Sequence, residues 1–164
     1  EAAEPHVDRG RRIRFCHAAD GADRAGQPTV LRRPEIIHGL RNVIQNAVDF
    51  AAETVSVETR WDSARITLRI MDDGRGFPPE MLSRIGEPFM RRRAAPRGRQ
   101  RPGYEGMGLG LFIAKTLLER SGAELTFTNG PEGAIVEVSW PRAAMEAPGG
   151  TSAPPLGENQ PITG

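Results

Sequence analysis

Two amides and a carboxylate carry the chemistry that stands out in this chain. His38, Asn42 and Asn46 recur at intervals of four and share a helical face with Asp49. Such a face also describes the plain solvated side of a helix. Its chemical reading is that Asn46 offers a neutral amide oxygen to Mg²⁺, an ion that takes octahedral oxygen ligands, keeps several waters and accepts others from phosphates. The carboxylate is Asp72, in Asp72-Asp73-Gly74-Arg75-Gly76. Asp-Gly pairs are commonly turns. Here Gly74 and Gly76 would also let the backbone approach a flat ligand while Asp72 accepts a hydrogen bond from an exocyclic amine. That chemistry selects adenine over guanine, which carries an oxygen acceptor at the corresponding position.

A third group is Gly106-Met107-Gly108-Leu109-Gly110-Leu111, where alternating glycines close a polar loop and open a helix. Free N–H groups at a helix start bind phosphate, although glycines alone are weak evidence. Glu87-Pro88-Phe89 precedes an Arg-rich stretch, so Phe89 can anchor a lid while Arg91, Arg92 or Arg93 reaches a phosphate. The same residues also describe an ordinary loop packed by one aromatic.

These residues need elements to hold them. Apolar residues at three- and four-residue spacing from Ile36 to Ala51, with Pro34 at the first helical position, predict a helix over Glu35 to Ala52. Thr54 to Trp61 and Arg65 to Met71 predict a hairpin whose second strand ends at Asp72. A brief helix is expected over Glu80 to Ile85. A second long helix is expected from Gly108 to Arg120, with Leu109, Phe112, Ile113, Thr116 and Leu117 buried and Gly122 ending it. Glu124 to Thr128 and Ala134 to Trp140 predict another hairpin, and Arg11 to Phe15 and Thr29 to Arg32 two short strands. The expected organisation is a disordered or linking segment at 1–10, one domain at 11–141 with a lid at 90–106, and a disordered tail at 142–164.

Composition excludes several classes. The formal net charge is +1 and aromatics are 5% of residues, so neither a basic field nor stacking platforms favour nucleic acid. Lys115 is the one lysine among 22 basic residues, which makes any single Arg cluster less informative. The lone Cys16 forms no internal disulfide and suits a reducing compartment. No apolar run reaches about 18 residues and the start lacks the order of a signal peptide. A cytoplasmic piece without direct membrane contact is expected, which leaves open whether a longer parent is anchored in the inner membrane.

Taken in order, these motifs resemble the histidine-kinase branch of the ATPase superfamily that also contains gyrase, Hsp90 and MutL. The likeness covers about residues 11–141. Asn42 to Ala47 resembles the family's asparagine box, Asp72 to Gly76 its first glycine box, Glu87 to Phe89 its phenylalanine box and Gly106 to Leu111 its second glycine box. Arg33-Pro34-Glu35 and the run His38 to Ala51 are most similar to the redox-responsive RegB/PrrB sensor kinases of proteobacteria. Departures fall in the least specific motif: Ser121-Gly122-Ala123 lacks a second glycine, and Ala134 stands where Thr is common.

The resemblance implies an α/β fold, a two-layer sandwich of the Bergerat type with a mixed sheet of about five strands and helices on one face. It implies Asn46 as the Mg²⁺ ligand, Asp72 as the adenine anchor, and Gly106, Gly108 and Gly110 as the phosphate-facing segment with Leu109 and Leu111. The superfamily's hydrolases place a Glu one turn before the metal-binding Asn, where it takes a proton from water; Asn42 stands there instead and has no useful basicity. The expected activity is therefore transfer of the ATP γ-phosphate to a histidine on a separate dimerisation and phosphoacceptor domain, with a response regulator downstream. None of His6, His17 and His38 is followed by an acidic residue, as that acceptor would be. The alternatives are an anti-sigma-factor-type serine kinase and a degenerate partner-binding module.

Overall fold

The computed structural model describes residues 12–19, 26–82 and 107–146. Among them the alternating runs pair into a five-stranded mixed sheet. Its strands are β1 (Arg12–Ala19), β2 (Thr54–Trp61), β3 (Arg65–Asp72), β4 (Glu124–Asn129) and β5 (Ala134–Pro141), in spatial order β1-β2-β3-β5-β4. Only β1 and β2 are parallel, and the helix α1 (Pro34–Phe50) makes the crossover that a parallel pair requires. The β2–β3 and β4–β5 pairs are the hairpins that the sequence predicts. Asp62 closes the first by accepting from the N–H groups of Ala64 and Arg65 at 2.6 and 2.7 Å, an Asx turn.

Period two sends one set of side chains to the helices and the other to the open face. Val55, Val57, Ile66, Ile70, Val136, Val138 and Trp140 are buried against α1 and α3 (Met107–Arg120). On the other face Thr67, Arg69, Glu137 and Ser139 are half-buried. Helices on one side and an open sheet on the other make the two-layer α/β sandwich.

The ends of α3 are set locally. Ala123 N–H donates to Leu118 O and Gly122 N–H to Glu119 O, with Gly122 at φ +90°, which is a Schellman cap. Ser121 Oγ donates to Leu118 O at 2.6 Å and accepts from Trp140 Nε1 at 2.9 Å, so the buried indole is satisfied.

Three expectations need correction. The buried stripe of α3 is Leu111, Ala114 and Leu118, whereas Leu109, Ile113 and Thr116 are exposed and Phe112 and Leu117 half-buried. Thr29 to Arg32 is no strand; Val30 makes one isolated bridge, to Glu146. The short helix expected over Glu80 to Ile85 is present as α2 (Pro79–Leu82) as far as the described residues reach. Past Pro141 the chain is ordered for five more residues. They form α4 (Arg142–Met145) and Glu146, with Met145 in the core and Arg142 bonded to Gly26 O and Asp62 O. Residues 1–11, 90–106 and 147–164 lie outside the described residues, with whatever is expected of them.

Candidate functional site: one end of the sandwich

Chain direction gathers the predicted residues at one end. Asp72 is the last residue of β3 and pairs with Val55 at the start of β2, immediately after α1. β5 begins at the same end, because Met71 pairs with Ile135, so the β4–β5 turn lies there too. α3 ends beside the opposite end of β4, where Glu124 pairs with Ser139. Its 14 residues span about 20 Å, which returns its N-terminus toward the Asp72 end. The C-terminus of α1, the end of β3, the β4–β5 turn and the start of α3 therefore converge.

Asp72 is 7% exposed. Its Oδ1 accepts from Gly74 N–H at 2.9 Å and from Ala134 N–H at 3.3 Å. Its Oδ2 has no donor among the described residues, so one oxygen is tied to the protein and the other is left for a ligand. Burial pushes the carboxyl above its usual range, outweighing those two donors. A carboxylate held this way gains from a ligand that brings an N–H to the open oxygen.

The glycines around it leave no room for side chains. A Cβ on Gly74 would stand 2.1 Å from Phe50 O, and one on Gly133 would stand 2.3 Å from Asp72 O and 2.7 Å from its Oδ1. Gly76 adopts φ +73°. Gly133, the residue before β5, packs on Asp72 and is part of this wall. Asp73 turns away and accepts from Glu53 and Thr54 N–H, both at 2.9 Å, stapling the α1–β2 junction to the loop. Partial burial opposes its charge, but the backbone donors prevail and hold its carboxyl below the usual range.

Gly74 packs on Phe50 O, and Asn46 sits one helical turn earlier on α1. Asn46 is 8% exposed and no side-chain hydrogen bond engages its amide among the described residues. It lies on the α1 flank shared with Gly39, whose Cβ position is 2.6 Å from Leu118, so this flank faces α3. Asn42 lies one turn further back and donates from Nδ2 to His38 O at 2.9 Å. His38 is exposed, two turns from Asn46, beside a groove of about 270 Å³ with Arg32, Pro34, Ile37 and Arg41. That groove lies toward the other end of α1.

Gly108, Leu109, Gly110 and Leu111 fall in the first turns of α3, whose leading N–H groups lack intrahelical partners. Among the described residues, none stands within 4 Å of where a side chain on Gly110 would project. Leu109 is 59% exposed, while Leu111 is fully buried, backbone included. Phe89 and Gly106 lie outside the described residues.

Comparison with known proteins bears on the family and the fold. Residues 32–144 match the family described as histidine kinase-, DNA gyrase B- and HSP90-like ATPase. The sensor histidine kinase RegB of Cereibacter sphaeroides is 56% identical over 97% of this chain, which spans 37% of that protein. The signal transduction histidine-protein kinase AfsQ2 of Streptomyces coelicolor is 35% identical over 64% of this chain and 18% of its own length. Among solved structures, the mycobacterial sensor histidine kinase MprB superposes with a TM-score of 0.64 at 23% identity, over 88% of this chain and 91% of that one. Full-length ShkA in complex with AMPPNP gives 0.64 at 25% identity, over 94% and 30%. With its sheet, its buried carboxylate and its asparagine helix in one arrangement, the chain belongs to the family of histidine kinase-, DNA gyrase B- and HSP90-like ATPases.

Proposed function

We propose that the chain is the ATP-binding catalytic domain of a sensor histidine kinase, and that it transfers the γ-phosphate of ATP to a histidine on a separate dimerisation and phosphoacceptor domain. The observation that carries the nucleotide half is Asp72: a buried carboxylate with one oxygen held by two backbone donors and the other free to accept from the adenine amine. The unengaged amide of Asn46 fits an Mg²⁺ ion that draws its other ligands from phosphates and water. Bound there, the ion would neutralise phosphate charge as the bond to the leaving oxygen breaks. The start of α3 would meet the phosphates through its backbone N–H groups.

Asn42 supports transfer over hydrolysis. A water needs a base to become a competent nucleophile, and this amide supplies none. A neutral imidazole nitrogen already carries its lone pair: it attacks the γ-phosphorus, ADP leaves, and the ring proton passes to solvent or a partner base. The relatives favour histidine over serine as acceptor, and the intact Asp72 pocket argues against a merely partner-binding role. A response regulator would take the phosphoryl group next. No described helix is long and apolar enough to cross a membrane.

The test mixes the chain with a phosphoacceptor segment and labelled Mg·ATP. Acid-labile phosphohistidine should form on the added segment, not on this chain, and Asn46→Ala should lower transfer on the order of a hundredfold. Label on the chain's own histidines, or on a partner serine, would overturn the assignment.

A further inference from the structure

Asn129 ends β4 at the mouth of the β4–β5 turn, a place where asparagine commonly serves only to form the turn. Its side chain does more. Oδ1 accepts from Phe77 N–H at 2.7 Å and Nδ2 donates to Phe77 O at 2.8 Å, so one planar amide satisfies both backbone groups of a single residue 52 positions away. The Phe77 ring is buried and meets Phe127, on the same face of β4, edge-on at 6.2 Å. Gly76 passes so close that a Cβ there would stand 2.7 Å from Asn129 Oδ1.

The residue opposite Asn129 in the hairpin is Ala134, and Ala134 N–H donates to Asp72 Oδ1. One pair of facing residues thus holds both ends of the loop from Asp72 to Phe77: Ala134 its start, Asn129 its end. We propose that Asn129 is a positioning residue for nucleotide recognition, fixing this loop so that Asp72 and the Gly74–Gly76 backbone meet the purine together. The inference rests on the ATP-binding reading of Asp72. An amide of this length supplies acceptor and donor in one plane. Aspartate keeps the acceptor but turns a lone pair toward the Phe77 carbonyl, and alanine supplies neither.

Loosening one end of the loop should affect the purine and spare the phosphates, which meet α3 and Asn46. The experiment measures calorimetric binding of Mg·ATP and of inorganic triphosphate with Mg²⁺ to the chain, to Asn129→Ala and to Asn129→Asp, with thermal melts to establish folding. ATP affinity should fall about tenfold in both variants, the scale of one lost hydrogen bond, with triphosphate affinity unchanged. Amide exchange at Phe77 should quicken in Asn129→Ala. Equal weakening of ATP and triphosphate would reduce Asn129 to a structural role and overturn the proposal, as would unchanged ATP affinity in a folded variant. Failure of the unsubstituted chain to bind ATP would instead bring down the reading of Asp72, and this inference with it.

Discussion

Asp72 shows a functional group held at a cost to the fold. Its carboxyl is raised by burial, and a group whose pKa is raised on folding contributes stability that is present below the unfolded value and is lost as pH rises through the folded one. Burial thus makes the ionised form of this carboxyl costlier to the fold than the protonated one. Asp72→Asn keeps an Oδ1 for Gly74 and Ala134 while removing that charge. The substitution should raise stability at pH 7 by on the order of 1 kcal/mol, and urea midpoints should show the gain shrinking toward pH 4. Adenine binding should be lost in the same variant, since an amide N–H now faces the adenine amine if it replaces Oδ2. A variant less stable than the parent at pH 7 would show that both carboxylate oxygens serve the fold.

The elements differ in how far their own sequence chose their faces. In α1 the period is clean, and Ile36, Val43, Ile44, Ala47 and Val48 are buried as it indicates. α3 is apolar nearly all round, with Leu109, Leu111, Phe112, Ile113, Leu117 and Leu118, so periodicity could not select a side. Close helix contact decided: Leu118 fills the space beside Gly39 and turns Leu111 and Ala114 inward with it. Gly39→Ala tests this. In an isolated helix it would gain up to about 1 kcal/mol in propensity. Here its Cβ would stand 2.6 Å from Leu118 Cγ in a filled core, so denaturant unfolding should show a net loss of about 1–3 kcal/mol. A stabilised variant would mean that α1 and α3 pack less closely.

At the scale of the molecule, the sandwich is closed at the far end by residues that composition assigned to a tail. Met145 is buried, Leu31 N–H donates to Met145 O, and Arg142 reaches Gly26 O and Asp62 O. A chain ending at 141 should be less stable than one ending at 146 by at least about 2 kcal/mol, the cost of removing a buried Met alone. Equal melting of the two truncations would show that α4 is dispensable.

The sequence by itself determined where the two long helices and the two hairpins lie, because periodicity, glycine placement and a strand end are local properties. Asp72 at a strand end, Asn46 on a helix face and the glycines at the start of α3 could be picked out for that reason, and a role in binding nucleotide is our proposal for them. Tertiary structure alone decided which side of α3 is buried, that Gly133 presses on Asp72, that Asn129 brackets Phe77 and that 142–146 belong to the core. Each of these depends on a partner many positions away, and a single sequence records such a contact only as an ordinary glycine, asparagine or methionine.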